Sequence, residues 1–288
     1  MPGATGDPYM LNNEGEWERR RLNEQFYFIH DVMNQDLLPP HIAEEVAANP
    51  NVKIVELATG SGVWVEDMAK TLPETAELVG LDYNADNFPK NHAKNVSFDV
   101  ANFLEPFPEK YWGKFDVVHF RICVMGMKVG YGPTMIKHAQ KLLKPGGWFT
   151  WTDLQPMNAY AEPPSEAVHR FNKLFYAMCD RVGLDRGIPL AIPKWTREGG
   201  LVDVGSTSYH INGDSDKPFK QGDWIERQQT WALGALTAIS KSILALGGGE
   251  GLKTQEDLDE LLPHSKKDLS GDAKFNLLVL RVWGRLPA

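Results

Sequence analysis

The sequence predicts an α/β fold: a doubly wound, mostly parallel sheet with an antiparallel C-terminal edge and a helical lid. Three observations carry that prediction. Short apolar, β-branched runs alternate with amphipathic stretches from Lys53 to Asp153, the pattern of strands joined by crossover helices. The turn Gly60-Ser61-Gly62 follows the first run, and Asp82 closes the second, a separation of about 20 residues typical of nucleotide-binding βαβ units. The segment Lys274–Gly284 is strand-like and no helix follows it, so it pairs antiparallel at one edge.

The elements follow in order. Residues 1–8 read as disordered. From Asn12 to Leu37 charged positions give way to an amphipathic pattern, with Trp17, Leu22, Phe26, Phe28, Ile29, Val32 and Met33 apolar. That is a helix, broken by Leu38-Pro39-Pro40. A short helix from His41 to Ala48 ends at Asn49-Pro50. Residues 1–48 are therefore expected to form a helical cap, and residues 49–288 the main domain. In that domain, strand Lys53–Leu57 leads to helix Trp64–Thr71 and strand Glu77–Asp82. Strands Val96–Val100 and Phe115–Phe120 come next. Helix Pro133–Leu143, the turn Lys144-Pro145-Gly146-Gly147 and strand Trp148–Asp153 complete the alternation. Leu201–His210 is a further strand. Helical segments within about 160–200 and 220–265 are expected to form a lid over the carboxyl ends of the strands, where ligands bind in open α/β sheets. These features together describe a Rossmann-like sheet.

Composition excludes several classes. A chain of 288 residues with 42% hydrophobic content can bury a large core. A net charge of −8 argues against a general nucleic-acid binder. The basic runs Arg19-Arg20-Arg21 and Lys266-Lys267 have acids nearby and read as solvated faces. Two cysteines, Cys123 and Cys179, fit a reducing compartment better than a disulfide scaffold. No apolar run reaches the length of a membrane span, and Met1–Pro8 has no apolar signal core. A cytoplasmic protein is expected, with nuclear entry and homo-oligomerisation left open and no nucleic acid or membrane among its partners.

The glycine turn and Asp82 point to an adenosine-containing cofactor. Glycine lets the backbone approach a ligand closely, and an acid closing the second strand can accept both ribose hydroxyls. Two cofactors compete. A dinucleotide site wants G-x-G-x-x-G, but Val65 stands where the third glycine belongs. Glu56, inside the strand end, would repel a pyrophosphate and welcome an ammonium. That favours S-adenosylmethionine (SAM).

Four motifs in order strengthen this reading. Glu56-Leu57-Ala58-Thr59-Gly60-Ser61-Gly62 resembles the first motif of class I SAM-dependent methyltransferases. Gly80-Leu81-Asp82 resembles their ribose motif, Phe115-Asp116-Val117-Val118-His119 their fourth-strand motif, and Leu142-Leu143-Lys144-Pro145-Gly146-Gly147 the turn before their fifth strand. Three further segments resemble the fungal LaeA-like methyltransferases of secondary metabolism: Tyr9-Met10-Leu11 with Glu18 and Arg21-Leu22-Asn23-Glu24-Gln25; Asp116 with His119 and Arg121; and Val282-Trp283-Gly284-Arg285-Leu286-Pro287. The resemblance implies roles. Glu56, Ala58, Gly60 and Gly62 would surround the methionyl part of SAM. Asp82 would hold the ribose hydroxyls, with Tyr83 and Asn84 beside it. Asn102 and Phe103 would meet the adenine. Tyr9 would close over the methionyl carboxylate. Arg121 joins this cofactor-binding set and, with His119, lies near where the methyl group points. Two departures stand out. Ala58 replaces the usual first glycine, and Asn102 stands where aspartate is common, with Asp99 as its rival.

Methyl transfer from a sulfonium is mainly a matter of positioning. A base is needed only where the acceptor must lose a proton. His119 is the candidate base, because its ordinary pKa lies near neutrality; a core histidine at the strand end is the alternative. His138 reads as a helix-surface residue. Asp153 and Gln155 follow the fifth strand and could face a substrate, but no second carboxylate matches them as a metal ligand, so no metal is expected. Phe171, Phe175, Tyr176, Trp195, Trp224 and Trp231 in the lid suit an apolar small molecule, with most of them expected in the lid core; Met125, Met127, Met157 and Met178 read equally as pocket lining or gap-fillers. The implied function is methylation of a small, largely apolar natural product on O, N, S or C. A SAM-binding cyclase of the pericyclase type and a LaeA-like regulator are the alternatives.

Overall fold

The five apolar runs form strands β1 (Lys53–Leu57), β2 (Glu77–Asp82), β3 (Val96–Val100), β4 (Phe115–Arg121) and β5 (Leu143–Glu162), and two more, β6 (Val202–His210) and β7 (Lys274–Arg285), follow later in the chain. In the computed structural model they make one sheet in the order β3-β2-β1-β4-β5-β7-β6. Strands β1 to β5 run parallel, and β7 lies antiparallel between β5 and β6. The expected antiparallel C-terminal edge is therefore present. The structure describes residues 16–211, 221–270 and 273–288. Tyr9 and the expected disorder of residues 1–8 lie outside the described residues.

Strand β5 is longer than its sequence pattern predicts. It starts before the glycine turn, because Leu143 already pairs with Phe115, and the register then jumps to Val117 with Trp148. It continues past Asp153 because β7 offers a partner as far as Glu162 with Lys274. A glycine pair and loose alternation hide a strand whose length is set by its neighbour.

Alternation assigns the two sheet faces. Ile54 faces one side and packs with Leu78, Val117, Ile42, Val46, Trp64 and Met68. This side is covered by α2 (Pro40–Ala48) and α3 (Val63–Ala69). Val55, Leu57, Val118, Phe120, Phe149 and Trp151 face the other side, under α4 (Tyr131–Gln140) and α6 (Ile192–Glu198); α6 packs against α4, β6 and β7. Helices α5 (Glu166–Val182), α7 (Gln221–Ala245) and α8 (Gln255–Leu269) pack on one another, α5 also on β5 and α7 on β7. Local signals start them: Ser165 accepts from the Val168 N–H at the head of α5, and Thr254 with Asp257 forms a capping box on α8. Helix α1 (Glu16–Val32) meets α7, with Phe28 stacked on Trp224 and Trp231 at ring separations of 5.2 and 5.6 Å. Among the described residues no helix is long and apolar enough to cross a membrane.

The strand order reverses between β1 and β4, where crossovers leave in opposite directions and a crevice opens at the carboxyl ends. Around it the glycines are fixed by packing. A Cβ on Gly80 would lie 2.6 Å from the Phe98 ring, and one on Gly62 would lie 2.5 Å from it. The Phe98 ring of β3 thus occupies the space that both glycines leave.

Gly80→Ala is expected to destabilise the fold by about 1–3 kcal/mol through overpacking. Combining it with Phe98→Leu should recover part of that loss. Thermal melts of the single and double variants test this, and independent, additive effects would contradict it.

Candidate active site

The crevice beyond β1, β2 and β4 is lined by residues from every element that borders it. Ala58, Thr59 and Gly60 follow β1; Asp82 and Tyr83 end β2; Asn102 and Phe103 follow β3; Arg121, Ile122 and Cys123 lie at the end of β4. Asn87 and Gly126 complete the sheet side, and Glu18, Leu22 and Gln25 of α1 close it from above. Helix α1 is held there by Asn23, which accepts the Ser61 hydroxyl at 2.7 Å. Its approach is close: a Cβ on Gly60 would lie 3.2 Å from Leu22 Cδ1, and Gly60 has φ +57°.

The carboxylate of Asp82 is fixed in this cleft. One oxygen accepts the Gly60 N–H at 2.8 Å and the other the Asn84 N–H at 3.0 Å. Asn102 accepts the Leu104 N–H at 3.0 Å through its side-chain oxygen, which sets the amide at the cleft wall. Its rival Asp99 lies outside the cleft, where it takes Lys110, the Tyr111 hydroxyl at 2.8 Å and the Val100 N–H. His138 Nδ1 lies 3.1 Å from the Phe103 carbonyl oxygen, tying α4 to the cleft. The chemistry of this set matches SAM: a fixed carboxylate for a diol, an amide and an aromatic ring for a base, and both signs of charge for an amino acid.

The distribution of that charge differs from the sequence expectation. Glu56 does not line the cleft. It is fully buried, its Oε1 takes Arg121 Nε at 2.9 Å, and its other oxygen takes the Thr59 hydroxyl. Burial pushes its pKa up to about 7 despite the guanidinium beside it. Glu56 therefore holds Arg121 rather than a ligand ammonium, and Arg121 presents the charge to the cleft, braced by the Phe26 ring at 5.1 Å. The acidic group that does line the cleft is Glu18, 1% exposed and paired bidentately with Arg21 at 2.6 and 2.8 Å. Gly62 and Asn84 also stand back from the cleft: Gly62 caps α3 with φ +75°, and Asn84 accepts the Asp86 N–H.

A second cavity, of about 440 Å³, adjoins the cleft. It has the size and apolar lining of a small-molecule site. Phe28, Met125, Leu154, Phe171, Phe175, Trp231 and Leu277 form its walls, with Arg21, Glu24, Glu226 and Arg227 also bordering it. Gln25 and Ile122 border both spaces. Three of the six lid aromatics expected here are elsewhere. Tyr176 donates to the Met157 carbonyl at 2.8 Å, Trp195 fills the space above Gly132, and Trp224 stacks on Phe28. Met127, Met157 and Met178 are core residues outside this cavity.

The loop after β4 is under tension. Ile122 has φ +46°, an outlier for a β-branched residue. Its N–H donates to the Thr152 carbonyl at 2.8 Å. Asp153 accepts the N–H groups of Cys123 and Leu154 at 3.0 and 2.9 Å and the Trp151 indole N–H at 3.0 Å. Asp153 is therefore a strut for the loop and faces neither cavity, and Gln155 lines neither. Burial raises the Asp153 pKa to about 6 against those donors.

His119 also differs from expectation. It is 2% exposed, its ring stacks on Trp64 at 3.9 Å, and its Nδ1 lies 2.7 Å from Thr150 Oγ1. It borders a small pocket with His30, Thr152 and Arg281, not the larger apolar cavity. Burial, with Arg121 and Arg281 nearby, holds its pKa well below the ordinary range, which favours the neutral ring. The reason is register: Glu56, His119 and Thr150 pair across three strands and share the face covered by α3. A base must reach its acceptor, and this placement does not fit that role. The residues that sequence reasoning left without a role, Glu18, Leu22 and Gln25, lie in the quoted N-terminal motif. An acid at helical spacing from Leu22, Phe26 and Ile29 was the signal that could have found Glu18.

Residues 48–182 match the family model described as a methyltransferase domain. Methyltransferase grgD of Penicillium sp is 28% identical over 268 residues, covering 91% of this chain and 90% of that one. N-methyltransferase sirN of Leptosphaeria maculans is 28% identical, covering 97% and 95%. Methyltransferase psoC of Aspergillus fumigatus is 30% identical, covering 77% and 78%. In fold, the chain is similar to one in the complex of the Haloferax volcanii Trm112 methyltransferase activator with its methyltransferase, at a TM-score of 0.52, 17% identity and coverage of 94% and 96%.

Two outcomes are expected from this geometry. His119→Ala should lower stability by about 2–4 kcal/mol, because it empties a packed site beside Trp64, while affinity for S-adenosylhomocysteine (SAH) stays unchanged. Melts and calorimetry on the same variant separate the two; lost affinity in a stable variant would place His119 in the cleft. Ala58→Gly should raise stability by about 0.5–1 kcal/mol, because Ala58 has φ +52° and glycine takes that conformation without a Cβ penalty. A lower melting temperature would contradict the assigned strain.

Proposed function

This chain belongs to the class I SAM-dependent methyltransferases, among the fungal secondary-metabolite enzymes, and from that premise we propose that it methylates a nitrogen of a small, largely apolar natural product. The observation that carries the reading is the meeting of two unlike spaces at Gln25 and Ile122: a polar cleft that suits SAM and an apolar cavity that suits a flat molecule. The cavity's two carboxylates, Glu24 and Glu226, are exposed. Its arginines are already paired, Arg21 with Glu18 and Arg227 with Asp31 at 2.6 Å. No buried carboxylate or imidazole lines it among the described residues. A hydroxyl acceptor needs such a base, whereas a neutral nitrogen attacks with its lone pair and sheds its proton afterwards. Several relatives are N-methyltransferases by name, which supports the same choice.

When bound, SAM would supply a methyl group on positive sulfur, the carbon–sulfur electron pair staying on sulfur, and the acceptor's proton would be lost to solvent once the product leaves the cavity. The chain's own residues bind and orient. Asp82 with Tyr83 takes the ribose end, Asn102 with Phe103 the adenine, and Glu18 and Arg121 the amino acid end. Loop 58–60 supplies backbone around the sulfur side. The lid walls exclude water from the acceptor.

The test uses methyl-labelled SAM with an extract of the producing organism, and mass fragmentation of the labelled product. Label on nitrogen is expected; label on oxygen or carbon overturns the nitrogen assignment. In the cofactor cleft, Asp82→Ala should weaken SAH binding by about 1.5–3 kcal/mol, the range for a hydrogen bond to a charged group. Asp86→Ala should leave it unchanged, because Asp86 is exposed and outside the cleft. Equal affinities by calorimetry would show that the ribose site lies elsewhere.

A further inference from the structure

We propose that Gln25 is the acceptor-binding residue of this enzyme: its side-chain amide accepts a hydrogen bond from the N–H of the acceptor and holds that nitrogen at the opening between the two cavities. The inference rests on the methyltransferase reading and goes beyond it by naming the group that orients the nucleophile.

Position comes first. Gln25 and Ile122 are the residues that border both the cofactor cleft and the acceptor cavity. A methyl group passing between the two spaces travels between an apolar side chain on one wall and an amide on the other. Ile122 can shape that opening but cannot orient a polar atom. Gln25 can.

Elimination within α1 comes second. Its other polar side chains near the opening have partners. Glu18 pairs with Arg21, Arg20 pairs with Glu24 at 2.8 Å, and Asn23 takes the Ser61 hydroxyl. Gln25 is half-buried and its amide has no hydrogen-bond partner among the described residues. A glutamine spends rotamer entropy when ordered, so an unpartnered amide at a site of transfer is placed to find its partner in the ligand.

Chemistry comes third. An amide offers an accepting oxygen and two N–H donors, and it stays neutral at all working pH values. Accepting from an acceptor N–H leaves the nitrogen lone pair free and fixes its direction. It does not remove the proton, which matches a cavity without a buried base. An aryl ether oxygen has no hydrogen to give the amide oxygen and is only a weak acceptor for the amide N–H groups, so the residue favours N–H compounds over their ether isosteres. A partner group left unpaired in such a site is the usual source of strong discrimination.

The experiment compares indoline with 2,3-dihydrobenzofuran, two flat fragments of nearly equal size that differ by N–H against ring oxygen. Binding of each to the SAH-loaded protein is measured by ligand-observed NMR titration. The protein with Gln25 should prefer indoline by about 3–10-fold, the equivalent of one net hydrogen bond. Gln25→Met keeps the length and removes both polar groups, so on SAH-saturated protein of unchanged melting temperature the preference should fall to about one-fold. Gln25→Glu keeps an accepting oxygen and should retain the preference, which guards against a folding defect in the first variant. A residue that only packs would weaken both fragments equally. An unchanged ratio in Gln25→Met, a lost ratio in Gln25→Glu, or no binding of either fragment overturns the proposal while SAH binding leaves the methyltransferase reading standing. Failure of the unsubstituted protein to bind SAH would instead overturn that reading itself.

Discussion

The buried pair of Glu56 and Arg121 is the interaction on which the site depends. It joins the ends of β1 and β4, the neighbours between which the strand order reverses. Neither group could remain there alone. Removing a carboxylate and a guanidinium from water costs several kcal/mol each, and mutual attraction offsets this only when geometry is good. Burial raises the Glu56 pKa despite the donors around it. The pair is thus weak support for stability and strong support for geometry. It fixes the height of Arg121 in the cleft, and Arg121 in turn offers its face to Phe26 of α1.

From that pair the constraint spreads along the loop after β4. Arg121 can point into the cleft only if the chain turns at once, and Ile122 takes the turn in a left-handed conformation. Backbone strain of this kind survives where neighbouring contacts overdetermine it. Here the overdetermining contacts are the Thr152 carbonyl and the carboxylate of Asp153. The result is a rigid sill between two chemically different rooms. One is walled by backbone and polar groups, the other by Phe171, Phe175, Trp231 and their neighbours.

Helix α1 is the shared roof. Its turns alternate between the two spaces: Glu18 and Leu22 face the cofactor cleft, Tyr27 and Phe28 the acceptor cavity, and Gln25 both. The helix is pinned at its middle to the glycine loop through Asn23 and near its C-terminal end to α7 through Asp31 and Arg227. The two spaces therefore share a wall that is not part of the sheet. Whatever orders that helix orders both sites together.

The sequence by itself determined the architecture and marked residues that line the cleft. Alternating apolar runs can only be buried on two faces, so a covered parallel sheet followed from the pattern of residues 53–153. Local chemistry marked Gly60, Asp82, Asn102 and Phe103, because a strand end, a glycine turn and a carboxylate are legible within a few residues. Other features depended on residues far apart in the chain. Glu56 and His119 carry the right chemistry at the right strand ends, yet only pairing across β1, β4 and β5 decides which face each side chain takes. Gly62 reads as a ligand glycine until Phe98, on another strand, claims its space. The acceptor cavity gathers residues from α1, β5, α5, α7 and β7, none of them close in sequence, and Gln25 acquires a role only because α1 folds back over the sheet. Local periodicity fixes which elements form; long-range packing decides which side chains meet.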